Sequence, residues 1–374
     1  MRPVKLRPFK LERFFAEYEF KVRHLLCSSD AETLTIADLL AYEPGAAERL
    51  QSLRLGYSES TGSPELRQAI AATYRGISAD DVLVFTGAQE AIFAFFNVTL
   101  GPGDQLIGHS PAYQSLHEVA HAAGASVARW EARHETRWQL DPDDLTELAT
   151  PATKVVLLNT PHNPSGALLE RARFDAVVRF AEQRGCWLFS DEVYRGVEHD
   201  PSQRLPAACE LSPRAVSMGV TSKAYGLAGL RVGWLVVRDA TLRAELAGFK
   251  DYLSLCGAGP SELLATVAMK HADALAGRVR ALCMENLRRV DAFMAKHAER
   301  LEWVRPRAGT IAFPRFRSGD AGPRCQALLD STGVLLAPGA LFDADPRHFR
   351  IGFGRKNLPE ALDLFDAWLS KSPP

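Results

Sequence analysis

The chain has 374 residues, of which 47% are hydrophobic and 24% are charged, and its formal net charge is −1 at pH 7. This balance gives no reason to expect nucleic acid or a membrane surface as a partner. The length predicts two domains rather than one small core. We find no long uncharged apolar run, so we expect neither a membrane-spanning helix nor a signal peptide. Six scattered cysteines without a CxxC pair predict reduced thiols, a cytoplasmic protein and no zinc or other metal site.

Short apolar runs alternate with helical patterns between about residues 60 and 240. The runs lie at 82–85, 105–108, 126–130, 154–159, 186–192, 215–220 and 232–237. Residues 170–185 show apolar spacing near 3.6 and a closing Gly185, which is typical of a helix. Apolar strands joined by helical crossovers predict an α/β fold, with a mostly parallel seven-stranded sheet between helices.

The pattern changes after about residue 260, where strands and helices no longer alternate. The predicted elements are a long helical stretch at 260–300, short strands at 310–316, 334–338 and 350–353, and a final helix at 359–371. We expect the N-terminal residues to pack with this part. The sequence therefore predicts a large domain over residues 46–270 and a smaller, discontinuous α+β domain from residues 1–45 and 271–374.

Lys223 follows an apolar run and lies in the stretch TSKAYGLAGLRVGW. A lysine that attacks a carbonyl must be neutral, and burial lowers its pKa. Gly226, Gly229 and Gly233 would let the backbone approach a flat cofactor. Arg231, eight positions after the lysine, suits a phosphate. The stretch alone also fits a loop with a solvated lysine, so other residues must decide.

Two further motifs follow the first two predicted strands. In TGAQEA, the strand is followed by a turn and a helix start, whose free N–H groups favour an anion. Gly87, Ala88 and Gln89 are candidates for a phosphate cradle. In SPAYQSL, the ring of Tyr113 is a candidate to stack on a planar ligand, although loop tyrosines are more often simple packing.

Polar side chains also follow two later strands, where α/β proteins place their ligands. Asn163 lies in NTPHNPSG, which equally suits a turn. Asp191 ends an apolar strand in SDEVYRG, and a carboxylate buried there needs a partner. A protonated pyridine nitrogen would supply that partner, although an acidic helix cap is the alternative. Tyr194 could then donate to a ring oxygen beside Asn163.

Taken in order, the motifs YSESTGSPELR, TGAQEA, SPAY, NPSG, SDEVY, SKAYGLAGLRVGW and HFRIGFG resemble the class I/II aminotransferases of pyridoxal 5′-phosphate (PLP) fold type I. The resemblance covers nearly the whole chain. It implies a PLP enzyme that acts on an L-amino acid and a 2-oxo acid. It also implies a homodimer in which Tyr57 reaches the phosphate in the other subunit.

The resemblance implies a role for each site residue. Lys223 would hold PLP as a Schiff base and carry the proton at Cα, and Asp191 would pair with the pyridine N–H. The phosphate would be held by Gly87, Ala88, Gln89, Ser222 and Arg231. Tyr113 would stack, and Asn163 and Tyr194 would bind the 3′-oxygen. Arg350, in HFRIGFG, would bind the substrate α-carboxylate, a task that suits a planar guanidinium.

The sequence departs from the family pattern at three places. Val220 stands where a serine usually precedes the lysine by three residues. The region around Gly257 lacks the second arginine of members that prefer dicarboxylates, so an aspartate-type substrate is disfavoured. The usual glycine-rich N-terminal segment is replaced by CSSDAETLTIADLLAYEPG.

The reaction is left open, because the same residues can support transamination, β-elimination or replacement, decarboxylation or cyclisation. Transamination is what the family implies first. The N-terminal segment, with SKAYGLAGLRVGW and FKDYLSL, is also similar to PLP-dependent cyclases of the capreomycidine synthase type, which act on a hydroxylated arginine. Asp30, Glu32 and Asp38 could then face a cationic side chain, although a solvated acidic loop and a helix cap are the favoured explanation for each. A PLP-binding regulator is disfavoured, because no helix-turn-helix pattern or basic excess precedes Tyr57.

Overall fold

The structure is a computed structural model that describes residues 6–371; residues 1–5 and 372–374 of the predicted small domain lie outside the described residues. The strands, in chain order, are β1 (His24–Leu25), β2 (Val82–Phe85), β3 (Gln105–Ser110), β4 (Ser126–Glu131), β5 (Thr153–Asn159), β6 (Trp187–Asp191), β7 (Ala215–Val220), β8 (Gly233–Val236), β9 (Leu301–Glu302), β10 (Ile311–Ala312), β11 (Arg315–Phe316), β12 (Val334–Leu335), β13 (Ala337–Pro338) and β14 (Phe349–Gly352).

The helices lie between these strands and at both ends of the described chain. In chain order they are α1 (Lys10–Tyr18), α2 (Ile36–Leu40), α3 (Ala46–Ser52), α4 (Pro64–Ala71), α5 (Ala88–Thr99), α6 (Ser115–Ala123), α7 (Asp144–Leu148), α8 (Arg171–Arg184), α9 (Ala208–Leu211), α10 (Ala240–Lys250), α11 (Gly259–Lys270), α12 (Ala272–Lys296), α13 (Ala321–Thr332) and α14 (Leu358–Lys371).

The main sheet has seven strands in the order β2-β8-β7-β6-β5-β3-β4. All neighbouring pairs are parallel except those of β8, which runs antiparallel to both β2 and β7. Each strand coincides with one of the seven predicted apolar runs. Strands β2, β3, β7 and β8 are buried along their whole length, because helices cover both faces of the sheet. The predicted α/β fold with a mostly parallel seven-stranded sheet is confirmed.

The C-terminal part is more interrupted than its sequence pattern suggests. The predicted long helix at 260–300 is two helices, α11 and α12, because His271 between them has a non-helical backbone. The predicted strand at 310–316 is likewise split into β10 and β11, which join different sheets. Pro314 stands between these two strands and has no N–H to continue a ladder.

The N-terminal residues contact both parts of the chain. Strand β1 pairs in parallel with β12, with His24 opposite Val334, as expected for packing with the C-terminal elements. Helix α1 contacts both the C-terminal residues Gly339–Phe342 and Gln114 at the start of α6. Just before this helix, Arg7 forms an ion pair of 2.5 Å with the buried carboxylate of Glu118 in α6. The domain boundaries at residues 46 and 271 stay a prediction.

Candidate active site

A cavity of about 360 Å³ lies at the carboxyl ends of β5, β6 and β7, where parallel sheets commonly bind ligands. Helix α1 and residues 28–30 form the opposite wall. Most of the predicted site residues line this cavity, namely Ala88, Gln89, Tyr113, Asn163, Asp191, Tyr194, Ser222, Lys223 and Arg231. Gly87, Arg350 and Tyr57 are not among the lining residues.

Asp191 is the last residue of β6 and is buried beneath the cavity. Its carboxylate accepts one hydrogen bond, of 3.3 Å, from the N–H of Val193. Burial raises the pKa of Asp191 to about 7, because the charged form loses solvation that this single donor replaces only in part. A cationic group in the cavity would supply the missing partner.

Asn159, which is not among the predicted site residues, fixes the turn that carries Asn163. It ends β5 directly opposite Asp191 in the sheet register. Its side-chain nitrogen donates to the Asp191 carbonyl at 3.0 Å, and its Oδ1 accepts from the N–H of Asn163 at 2.7 Å. The signal was present in the sequence, since Asn159 is the polar end of an apolar run.

Lys223 follows β7 and extends toward the N-terminal wall of the cavity. Its Nζ donates a hydrogen bond of 2.8 Å to the Oγ of Ser29. Burial lowers the pKa of Lys223, and the negative charge of Asp30 offsets this only in part. A lowered pKa increases the neutral fraction of the amine, which is the form that attacks a carbonyl.

The start of α5 and Arg231 form a cationic corner of the cavity. The first N–H groups of this 12-residue helix have no partner within it, so the helix start favours an anion. Gly87 has φ of 80°, and a Cβ at this position would lie 2.6 Å from Nη2 of Arg231. Arg231 itself has a positive φ of 53°, which is uncommon for a residue with a side chain. Its guanidinium is thereby brought beside the helix start.

The glycines after Lys223 serve the protein's own packing. A Cβ at Gly226 would lie 2.7 Å from the carbonyl oxygen of Glu32, and one at Gly233 would lie 2.7 Å from the backbone nitrogen of Ala88. Gly229 has open space around it. At Gly226 and Gly233 the expected approach to the cofactor is therefore corrected, because the space is occupied by neighbouring backbone.

Two tyrosines of the cavity contact the N-terminal residues. The hydroxyl of Tyr194 donates to the carbonyl oxygen of Ser29 at 2.9 Å. The hydroxyl of Tyr113 donates to Oε1 of Glu12 at 2.7 Å, and the Tyr113 ring lies 4.8 Å from the ring of Phe9. Burial raises the pKa of both phenols above the ordinary value, so both remain protonated donors at neutral pH.

Arg350 lies behind the cavity wall in β14 and is fully buried. Its Nε donates to the carbonyl oxygen of Cys27 at 3.0 Å, and its Nη1 donates to Oδ1 of Asn163 at 3.2 Å. Its Nη2 is buried and has no hydrogen-bond partner within residues 6–371. A buried cationic donor without a partner is costly, and a carboxylate beside Asn163 would satisfy it.

Tyr57 lies away from the cavity of its own chain, with 91% of its surface exposed.

Two of the positions that depart from the family pattern have different surroundings in the structure. Val220 lines the cavity, so no hydroxyl stands there. Gly257 packs against the side chain of Glu262 and is not a lining residue.

The N-terminal wall contributes three acidic residues to the cavity, of which only Asp30 was predicted. Asp30 lines the cavity and is paired with Arg355. The other two candidates do not line it: Glu32 accepts from the N–H of Lys356, and Asp38 caps the start of α2 with Thr35. The lining residues of this wall that were not predicted are Leu11, Glu12, Phe15, Glu19, Ser28 and Ser29.

The described part of the chain offers neither a cluster of side chains for a metal ion nor a membrane-spanning helix. Among residues 6–371, no group of three or more His, Cys, Asp or Glu side chains is arranged to hold a metal ion. In the same range, no helix combines the length and apolar character that crossing a membrane requires.

The profile of the family described as Aminotransferase class I and II matches residues 25–364. The chain belongs to this family. Capreomycidine synthase from Streptomyces vinaceus is 36% identical over 355 residues, which cover 94% of this chain and 90% of the synthase. Arginine–pyruvate transaminase AruH from Pseudomonas aeruginosa is 32% identical over 319 residues, which cover 82% of this chain and 80% of the transaminase.

Two solved structures share the fold along nearly their whole length. A PLP-dependent aminotransferase from Streptococcus suis matches with a TM-score of 0.93 at 27% identity. The PLP-dependent cyclase OrfR matches with a TM-score of 0.90 at 32% identity. In each comparison 99% of both chains is covered. The fold is therefore PLP fold type I, and PLP is the cofactor that the family implies.

The cavity fits PLP by the chemistry of its residues. The cofactor carries an aldehyde, a phosphate and a basic ring nitrogen. The cavity offers a lysine of lowered pKa, a helix start beside Arg231, and the under-solvated carboxylate of Asp191. Each functional group of the cofactor thus has a complementary partner in the wall.

Proposed function

We propose that the protein is a PLP-dependent aminotransferase that moves an amino group between an L-amino acid and a 2-oxo acid. The observation that carries the proposal is that Lys223 and Asp191 line one cavity, where burial lowers the pKa of Lys223 and raises the pKa of Asp191. A lysine of lowered pKa suits covalent attachment of the cofactor. A carboxylate of raised pKa suits a buried cationic partner.

The residues of the chain then take separate roles. PLP, when bound, supplies an electron sink that weakens a bond at the substrate Cα. The Nζ of Lys223 accepts the proton from Cα, and Asp191 holds the proton on the ring nitrogen. The N–H groups of Ala88 and Gln89 bind the phosphate, together with the Ser222 hydroxyl and the Arg231 guanidinium.

The substrate and the cofactor ring are oriented by the remaining residues. Arg350 binds the α-carboxylate through the Nη2 atom that lacks a partner in the described chain. Asn163 and Tyr194 bind the 3′-oxygen of the cofactor, and Tyr113 packs against its ring. Helix α1 covers the cavity and reduces the access of water to the reacting atoms.

A second candidate is a PLP-dependent cyclisation of an arginine-like amino acid. It is favoured by the 36% identity to capreomycidine synthase over 94% of the chain, and by the likeness to the cyclase OrfR. In this reaction, Lys223 removes the same Cα proton, a β-hydroxyl leaves as water, and a side-chain nitrogen bonds to Cβ. The two candidates therefore share every residue role up to the loss of the proton.

Single-turnover reactions without an acceptor separate the two candidates. The holoenzyme is mixed with L-alanine, L-aspartate, L-arginine and β-hydroxy-L-arginine in turn, and cofactor and products are analysed by chromatography and mass spectrometry. Transamination converts the cofactor to its amine form and releases an equal amount of 2-oxo acid. Cyclisation leaves the cofactor unchanged and gives a product lighter by one water. If no amino acid reacts in either way, both candidates are wrong.

We also propose that the active protein is a cytoplasmic homodimer. Two neighbouring segments expose large apolar side chains: Leu55 and Tyr57 on one, and Tyr252 and Leu255 on the other. Lys250 joins the segments through hydrogen bonds to the carbonyl oxygens of Ser60 at 2.6 Å and Leu255 at 2.8 Å. Such a patch suits a second copy of the chain, in which Tyr57 reaches the partner's phosphate site.

A further inference from the structure

We infer that Glu19 is a specificity-determining residue that binds a cationic group at the far end of the substrate side chain. The inference rests on the proposed function, because it assumes that an amino acid is bound in the cavity. It holds equally for transamination and for cyclisation, which share the substrate-binding step.

Glu19 faces the cavity from helix α1. Glu12, Phe15 and Glu19 all line the cavity, and their spacing of three and four residues places them on one face of the helix. Glu19 is the C-cap residue, with its N–H bonded to the carbonyl of Phe15. At a rise of about 1.5 Å per residue, it lies about 10 Å along the helix axis from Glu12. The helix thus carries two carboxylates to different depths of the cavity.

The other charged groups of the cavity wall have partners. Glu12 accepts a hydrogen bond from Tyr113, and Asp30 forms two hydrogen bonds of 2.9 and 2.8 Å with Arg355. In the proposed function, Asp191 pairs with the ring nitrogen and Arg231 with the phosphate. The carboxylate of Glu19 is different, because no hydrogen bond or ion pair within residues 6–371 engages it.

The surroundings of Glu19 favour a cation. Its side chain is partly buried, and burial, followed by the negative charge of Asp30, raises its pKa above the ordinary value. The positive charges of Arg355, which is bonded to Asp30, and of Lys223 offset this only in part. A substrate ammonium or guanidinium beside Glu19 would pair directly with a carboxylate that has no hydrogen bond or ion pair within residues 6–371.

The position of Arg350 gives the substrate a direction. Its guanidinium lies 5.8 Å from the centre of the Phe15 ring, on the same helix face as Glu19. An amino acid whose α-carboxylate is held at Arg350 therefore begins beside Phe15. A long side chain that follows α1 toward its C-terminal end reaches Glu19, whereas a short one does not.

The test compares L-arginine with L-citrulline, which has nearly the same shape but a neutral side-chain end. The holoenzyme is incubated with each in deuterium oxide, and exchange of the Cα hydrogen is followed by NMR. This exchange reports proton removal in either proposed reaction. We expect the wild-type enzyme to prefer arginine. In E19Q we expect kcat/KM for exchange to fall about ten- to hundredfold with arginine and to change little with citrulline. E17Q is the matched control, because Glu17 is exposed on the same helix.

A binding measurement gives a second readout that needs no turnover. The desamino analogue 5-guanidinopentanoate is titrated into the holoenzyme by calorimetry, with pentanoate as the comparison that lacks the guanidinium. We expect E19Q to raise the dissociation constant of the guanidino compound about ten- to hundredfold and to leave that of pentanoate unchanged.

The outcomes separate this inference from the proposed function. If E19Q lowers kcat/KM equally for arginine and citrulline, or leaves the preference for arginine intact, Glu19 does not select the cation. If the wild-type enzyme exchanges alanine or aspartate as readily as arginine, a cationic substrate is wrong while the proposed function survives. If no amino acid exchanges its Cα hydrogen, the proposed function itself fails.

Discussion

The Nζ of Lys223 and the Oγ of Ser29 are joined by a hydrogen bond of 2.8 Å across 194 residues of chain. The same short segment accepts hydrogen bonds at the carbonyl of Ser29 from Tyr194 and Thr310, each at 2.9 Å. Residues 27–30 therefore connect the strand ends of the large sheet to the C-terminal elements. The proposed site is assembled only when this segment lies in place.

Replacing Lys223 with alanine should abolish covalent attachment of the cofactor. The variant lacks the only amine proposed to accept the Cα proton, so we expect turnover to fall about 10²- to 10⁴-fold. Borohydride reduction followed by mass spectrometry of the digested protein measures the attachment. Lys154→Ala is the control, because Lys154 is exposed on β5. A reduced cofactor still bound covalently to the Lys223→Ala protein would show that another lysine holds it.

Asp191 should make the stability of the cofactor-free protein depend on pH. Burial raises its pKa to about 7 from an ordinary 3.8. Between these values the folded chain keeps a proton that the unfolded chain has lost, so the free energy of unfolding falls as the pH rises through this window. Over about three pH units this amounts to about 4 kcal/mol.

Urea denaturation of the cofactor-free Asp191→Asn variant measures this contribution. Because asparagine does not titrate, we expect the variant to gain stability relative to the wild type as the pH rises from about 4 to about 7. Asp273→Asn serves as the control, since the side chain of Asp273 is 99% exposed. A constant difference between variant and wild type across this range would contradict a raised pKa at Asp191.

Arg350→Lys should weaken the binding of amino acids and of 2-oxo acids alike. A lysine cannot donate to Asn163, to Cys27 and to a carboxylate in the same planar arrangement. We expect KM to rise about ten- to hundredfold with a smaller change in kcat, measured by steady-state kinetics. Arg347→Lys, whose guanidinium is paired with Asp345, should leave KM unchanged. An unaltered KM in Arg350→Lys would remove Arg350 from the binding site.

Tyr57→Phe should weaken PLP binding only through the partner subunit. Loss of one hydrogen bond to a charged group predicts a dissociation constant about ten- to hundredfold higher, measured by fluorescence titration. Tyr252→Phe is the control, because Tyr252 is as exposed as Tyr57 in the single chain. Mixing Tyr57→Phe with Lys223→Ala subunits should restore sites that neither variant has alone. Failure of this complementation in a proven mixed dimer would place both residues in one subunit's site.

The sheet and its strand-end residues could be predicted from local sequence. The apolar runs that become β5, β6 and β7 are followed by Asn163, end at Asp191 and are followed by Lys223, respectively. Parallel strands bring their carboxyl ends to one edge of the sheet. The partners of these residues could not be predicted in this way. Tyr113 meets Glu12 across 101 residues, and Arg350 meets Asn163 across 187, so these contacts depend on how distant segments pack. Glu19 gave no signal, because one carboxylate in a charged helix resembles a solvated surface residue.

Helix α1 has a consequence for how enzymes of this kind diversify. Apart from Tyr57, the residues proposed for proton transfer and cofactor binding lie between Gly87 and Arg231, whereas the residue proposed to select the side chain caps the nine-residue helix near the start of the chain. A change at Glu19 would alter the choice of amino acid, whereas Glu12 on the same helix must be kept, because it accepts a hydrogen bond from Tyr113. Substrate choice can therefore be varied at one end of α1 while the residues proposed for the reaction stay as they are.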